Sequence, residues 1–172
     1  MIAFLDSLFG LPAHPLVVHA AVVLVPLAAL GTVVIALWPA ARTRVGWIVA
    51  ALGVAGFFAA FLAKESGEAL LATTVATPLV QDHADMGTWG VIGAFLVGGS
   101  ACSVMLLDTA VRLRAAKGQP AWSVTRPLTF LVGVVAVVLS VVGTVLVVDV
   151  GHSGAKATWD GTRAAVPADR SR

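Results

Sequence analysis

The stretch LVVHAAVVLVPLAALGTVVIALW, residues 16–38, runs twenty-three residues without one Asp, Glu, Lys or Arg. About 20 predominantly apolar residues suffice to cross roughly 30 Å of hydrocarbon as a helix. Three further runs of this kind follow: Val45–Ala63, Met86–Leu107 and Leu128–Val148, all free of charged side chains. In lipid every backbone polar group must be satisfied within the chain, so these runs predict helices. The fourth is rich in valine and would read as strand in water, but its unbroken length argues for a span. The expectation is an all-α polytopic membrane protein, four transmembrane helices in an up-down bundle. Residues 1–159 form the transmembrane domain, and residues 160–172 form a polar tail expected to be disordered.

Composition agrees. Only 12% of residues are charged, about half the share in soluble domains, and mean hydropathy is +0.96. The net charge of +2 does not point to nucleic acid. The N-terminus lacks the basic start of a cleavable signal and carries Asp6 instead, so the first span is expected to be retained. Cys102, the sole cysteine, reads as an apolar buried thiol inside the third span.

Charge asymmetry sets an expected orientation. Arg42 and Arg44 follow the first span, and Arg112, Arg114, Lys117 and Arg126 lie between the third and fourth. The positive-inside rule places both connections in the cytoplasm. Both termini then lie outside the bacterial inner membrane. The outer side carries Asp6, Glu65, Glu68, Asp82, Asp85 and Asp149, whereas Asp108 lies inside. Residues 1–13 read as an amphipathic lead-in to the interface. Trp47, Trp89 and Trp122 fall where an aromatic belt is expected. Pro26 is expected to free the Val22 carbonyl and kink the first helix. Glycines at short intervals in the second and third spans predict close helix packing.

This topology gathers all four histidines, His14, His19, His83 and His152, on the outer side. Imidazoles are the commonest metal ligands. His14 is expected at a helix N-cap with Pro15 at the first helical position. His19 is expected one turn deeper, facing the bundle interior. Met86 follows His83 by three residues and is a further candidate ligand. Asp82, Asp85, Asp149, Glu65 and Glu68 are candidates to orient the imidazoles.

The same residues carry a resemblance. LPAHPLVVHAAVVLVPLA resembles the opening of a bacterial membrane-protein family, domain-of-unknown-function family 2231, which begins H-P-x-x-V-H-F-P-I. Here His14-Pro15 and Val18-His19 match, Ala20-Ala21-Val22 replace Phe-Pro-Ile, and a proline appears later at Pro26. KESGEAL at 64–70, His83 with Gly87, and GHSGAKATW at 151–159 extend the similarity over residues 11–159. It implies a four-helix membrane protein and adds architecture rather than activity.

Three functional readings stay open. One is a b-type haem or other redox-metal site ligated by His19 with His83 or His152, exchanging electrons with a periplasmic partner or quinone. Covalent haem attachment is excluded because C-x-x-C-H is absent. The second is a copper- or zinc-handling accessory protein using His14, His19, His83, His152 and Met86. The third is a structural or interaction subunit in a membrane complex, its histidines interfacial anchors. Ser66, Ser153 and Thr88 stand in no recognisable nucleophile pattern, which leaves catalysis unsupported. The spans lack the charges and broken helix pairs of a transporter.

Overall fold

The computed structural model describes residues 7–8, 11–120 and 125–164. Four helices make up nearly all of it: α1 (Ala13–Leu37), α2 (Pro39–Leu71), α3 (Pro78–Ala116) and α4 (Thr125–Ala164). All four are long and apolar enough to cross a membrane. Ser7–Leu8 pairs antiparallel with Leu11–Pro12 ahead of α1. This short ladder stands within the expected interfacial lead-in, the rest of which lies outside the described residues, as does Trp122.

The helix ends follow local chemistry. Proline opens α2 at Pro39 and α3 at Pro78, where its missing N–H has no intrahelical acceptor to lose. Thr77 caps α3 by accepting from the Val80 amide at 3.3 Å. Two sequence expectations at α1 need correction. The helix starts at Ala13, so His14 lies in its first turn and is not the N-cap, and Pro15 is not the first helical residue. The first four amides of a helix are unpaired anyway, so Pro15 is accommodated within that turn. Helix α1 continues through Pro26 to Leu37.

The helices outrun the apolar runs. Helix α4 has 40 residues, about 60 Å at 1.5 Å per residue, twice a bilayer core. It passes through Gly151 and Gly154 and beyond residue 159 to Ala164. Residues 165–172, which include most of the expected disordered tail, lie outside the described residues.

The bundle is inverted relative to a soluble one. Small residues fill the inside and large apolar ones face out. Val25, Ala28, Ala60, Ala94, Val97 and Val147 pack in one core cluster, and Ile35, Val49, Ala50, Ala101, Val104, Met105 and Ala136 in a second. Leu30, Phe58, Phe95, Phe130 and Val145 are exposed, as are Trp47 and Trp89. This arrangement suits lipid, where association depends on close backbone approach rather than apolar burial. A Cβ on Gly93 would sit 2.6 Å from the Gly143 carbonyl oxygen. A Cβ on Gly53 would sit 2.8 Å from the Gly98 Cα. The predicted role of the glycines is therefore met at the α3–α4 and α2–α3 crossings. Cys102 is half-buried beside the second cluster.

At the arginine-rich end, Arg42 turns back from α2 onto the last carbonyls of α1. Its Nε donates to the Ile35 oxygen at 2.7 Å and its Nη2 to the Ala36 oxygen at 2.8 Å. Its Nη1 lies 3.8 Å from Asp108 of α3, which Arg112 also binds at 2.6 Å. These bonds satisfy carbonyls that a helix end otherwise leaves unpaired.

Candidate functional site

The up-down order brings the starts of α1 and α3 to the same end as the C-terminal parts of α2 and α4. His14 and His83 meet there, with ring centroids 6.3 Å apart and planes inclined by 66°. Both are half-buried.

Each ring is held by the next helix in the chain. His14 Nδ1 lies 2.8 Å from the Ala63 carbonyl oxygen of α2. A carbonyl only accepts, so Nδ1 carries the proton. His83 Nδ1 lies 2.8 Å from Ser153 Oγ of α4, and that hydroxyl donates its own proton to the Val150 carbonyl at 2.8 Å. With its one proton so engaged, Ser153 accepts from His83, and Nδ1 is again the protonated nitrogen. Both rings therefore keep a lone pair on Nε2.

Both rings also rest on glycine. A Cβ on Gly67 would lie 3.0 Å from His14 Cε1, and a Cβ on Gly154 would lie 2.9 Å from His83 Cε1. The two seats match. Ser66 precedes Gly67 and donates to the Leu62 carbonyl at 2.7 Å and the Ala63 carbonyl at 3.1 Å, and Ser153 precedes Gly154 and donates to Val150. A histidine near the start of the odd-numbered helix rests on the glycine of a Ser-Gly pair in the even-numbered one, twice over; His83 bonds the serine itself, whereas His14 bonds the Ala63 carbonyl. KESGEAL and GHSGAKATW contain that signal, a shared Ser-Gly, but it gains meaning only once the helices are paired.

His83 lies three residues before the apolar run 86–107, near the start of α3. Burial chiefly, and secondarily the neighbouring His14, hold its pKa below the ordinary imidazole value, against a smaller opposite pull from the Val150 carbonyl.

The other expected site residues do not converge here. His19 is exposed and donates through Nδ1 to the Pro15 carbonyl in its own helix at 2.5 Å. This corrects its expected interior position. Five residues separate it from His14, about 140° around the helix, so turning His14 inward turns His19 out. His152 is exposed, one residue from the Ser153 that faces inward. Glu65 and Glu68 turn to Lys64. Asp82 and Asp149 are exposed, and Asp85 accepts from Gln81 at 3.0 Å. Met86 is half-buried. Among the described residues no three His, Cys, Asp or Glu side chains are grouped to hold a metal ion.

The model of a family described as predicted membrane protein, DUF2231, matches residues 10–166. The chain belongs to the DUF2231 family. No curated protein and no solved structure matches it. For this DUF2231 protein, the match covers all four helices, as the resemblance of its opening H-P-x-x-V-H element implied, and it takes in both Ser-Gly pairs.

Proposed function

We propose that this DUF2231 protein is a non-enzymatic multi-pass protein of the bacterial inner membrane, termini outside, in which His14 and His83 hold one haem b at the outer face. The observation that carries the reading is the pair of Nδ1-protonated imidazoles with centroids 6.3 Å apart. Metal-bound histidines almost always donate their other ring nitrogen to a carbonyl or similar acceptor. Two imidazoles opposed across one metal would have centroids about 6 Å apart, taking roughly 2 Å per metal–nitrogen bond and about 1 Å from nitrogen to centroid. Haem needs only two protein ligands. Copper or zinc sites built from protein alone want three or four, and the described residues offer no such group.

Bound haem would supply one-electron exchange with a periplasmic partner or quinone. The chain's own part is to fix both tautomers through Ala63 and Ser153. No histidine lies in the inner half, so the site is a single outer station and not a path through the bilayer.

A second reading has its own support. Both histidines already tie neighbouring helices together through Nδ1 and a glycine seat, which is what a structural or interaction subunit would need. Oxidised and reduced absorption spectra of detergent-purified protein from haem-replete cells separate the two. The haem reading expects a Soret band, lost in His14→Ala and His83→Ala and kept in His19→Ala and His152→Ala. Wild type without that band sinks it. The clasp reading then expects both inner variants to lose thermal stability with no spectral change. Equal, negligible metal in wild type and His83→Ala would set copper and zinc aside.

A further inference from the structure

At the opposite end, a groove of about 510 Å³ opens between the last turn of α1 and the first turns of α4. Its walls are apolar: Ala36, Leu37, Gly133, Val134 and Val138 among them. Its mouth is basic. Arg126 lines it, is exposed, and has no hydrogen-bond or ion-pair partner among the described residues. Arg42 lines it from α2. Around this end Arg42 and Arg112 share the carboxylate of Asp108, and neither bond involves Arg126.

From Arg126 to Val138 the groove follows α4 for about 18 Å at 1.5 Å per residue. That is close to one leaflet of a hydrocarbon core roughly 30 Å thick. Gly133 keeps the wall low. A Cβ there would meet Ala36 at 3.8 Å and more, ordinary contact, so a side chain at 133 fits only by filling the groove.

We propose that this groove is a binding site for an anionic phospholipid of the adjacent leaflet, its phosphate on Arg126 and one acyl chain along Gly133 and Val138. Basic pockets between transmembrane helices recognise anionic head groups in this way. The charge at the mouth, the apolar wall and the length match the three parts of such a lipid. The site is independent of the histidine pair.

The test uses the full chain in nanodiscs of phosphatidylcholine with phosphatidylglycerol, followed by native mass spectrometry of retained lipid. Wild type is expected to retain one phosphatidylglycerol in preference to phosphatidylcholine. Arg126→Gln should retain about fivefold less, the effect of one cation near the surface. Arg126→Lys should restore most of it, and Gly133→Phe should abolish it. Lys117→Gln removes the same charge outside the groove and should change little. Gly133→Ala, which meets only ordinary contacts, serves where the larger side chain prevents folding, and should weaken retention. The proposal is overturned if Arg126→Gln retains lipid as wild type does, if Lys117→Gln loses as much, if phosphatidylcholine is held equally, or if a second copy of the chain occupies the groove.

Discussion

At the scale of single residues, His83 carries the clearest chemical consequence. Burial and the His14 ring hold its folded pKa below the usual imidazole value of 6.5. Between the folded value and the ordinary one, the unfolded chain binds more protons, so stability rises with pH in that window. His83 should contribute no pH dependence above about 7, and its contribution to thermal stability should be lost as pH falls through about 6.5 and on through the folded value. Melting of haem-free protein followed by circular dichroism in detergent from about pH 8 to about pH 5 spans that window and checks this. His83→Asn keeps a donor toward Ser153 without a titrating ring, and should flatten the slope. An unchanged slope in that variant would assign it to other groups. His14 also lowers the His83 pKa, so His14→Asn should narrow the window from below by raising the folded value toward the ordinary one.

At the scale of elements, the glycine crossings dominate. Gly93 and Gly143 approach so closely that each would place a Cβ within 2.6 Å of the other's carbonyl oxygen. Backbone cannot yield as a flexible side chain does. Gly143→Val should therefore force α3 and α4 apart and cost several kcal/mol, in the class of severe overpacking. Gly99 has nothing within 4 Å of where a Cβ would stand, so Gly99→Ala should be neutral or stabilise by up to about 1 kcal/mol through helix propensity. Melting temperatures of the two variants in one detergent test the contrast. Element existence was legible in the apolar runs, because length in lipid leaves helix as the only choice. Element length was not. Helix α4 continues past Asp149 through two glycines because nothing there breaks it, and Gly154 seats His83 rather than ending the helix. The helical phase also hid the site. Topology gathered the histidines at one end of the bundle, but the angle between His14 and His19 lets only one turn inward. Ser66 and Ser153 read as plain hydroxyls until α1 met α2 and α3 met α4.

At the scale of the whole molecule, the positive-inside rule makes the sidedness testable. Arg42, Arg44, Arg112, Arg114, Lys117 and Arg126 gather at one end of the bundle, and the histidine clasps at the other. Alkaline phosphatase fused after Arg172 should be active, and the same enzyme inserted at Gly118 should be inactive, as expected for an outer C-terminus and a cytoplasmic loop. The reversed result would place the histidine pair in the cytoplasm and remove periplasmic donors from its reach. Gly118 is a suitable point because it has a φ of 65° in a turn and open space around it.

The repeated clasp has a topological consequence. His14 finds its acceptor on α2, 49 residues later, and His83 finds its own on α4, 70 residues later. Neither bond waits for the other half of the chain. Each clasp closes inside one helical hairpin, α1 with α2 and α3 with α4. The molecule is thus two self-fastened hairpins, and the seam between them is the place where Gly53 of α2 meets Gly98 of α3.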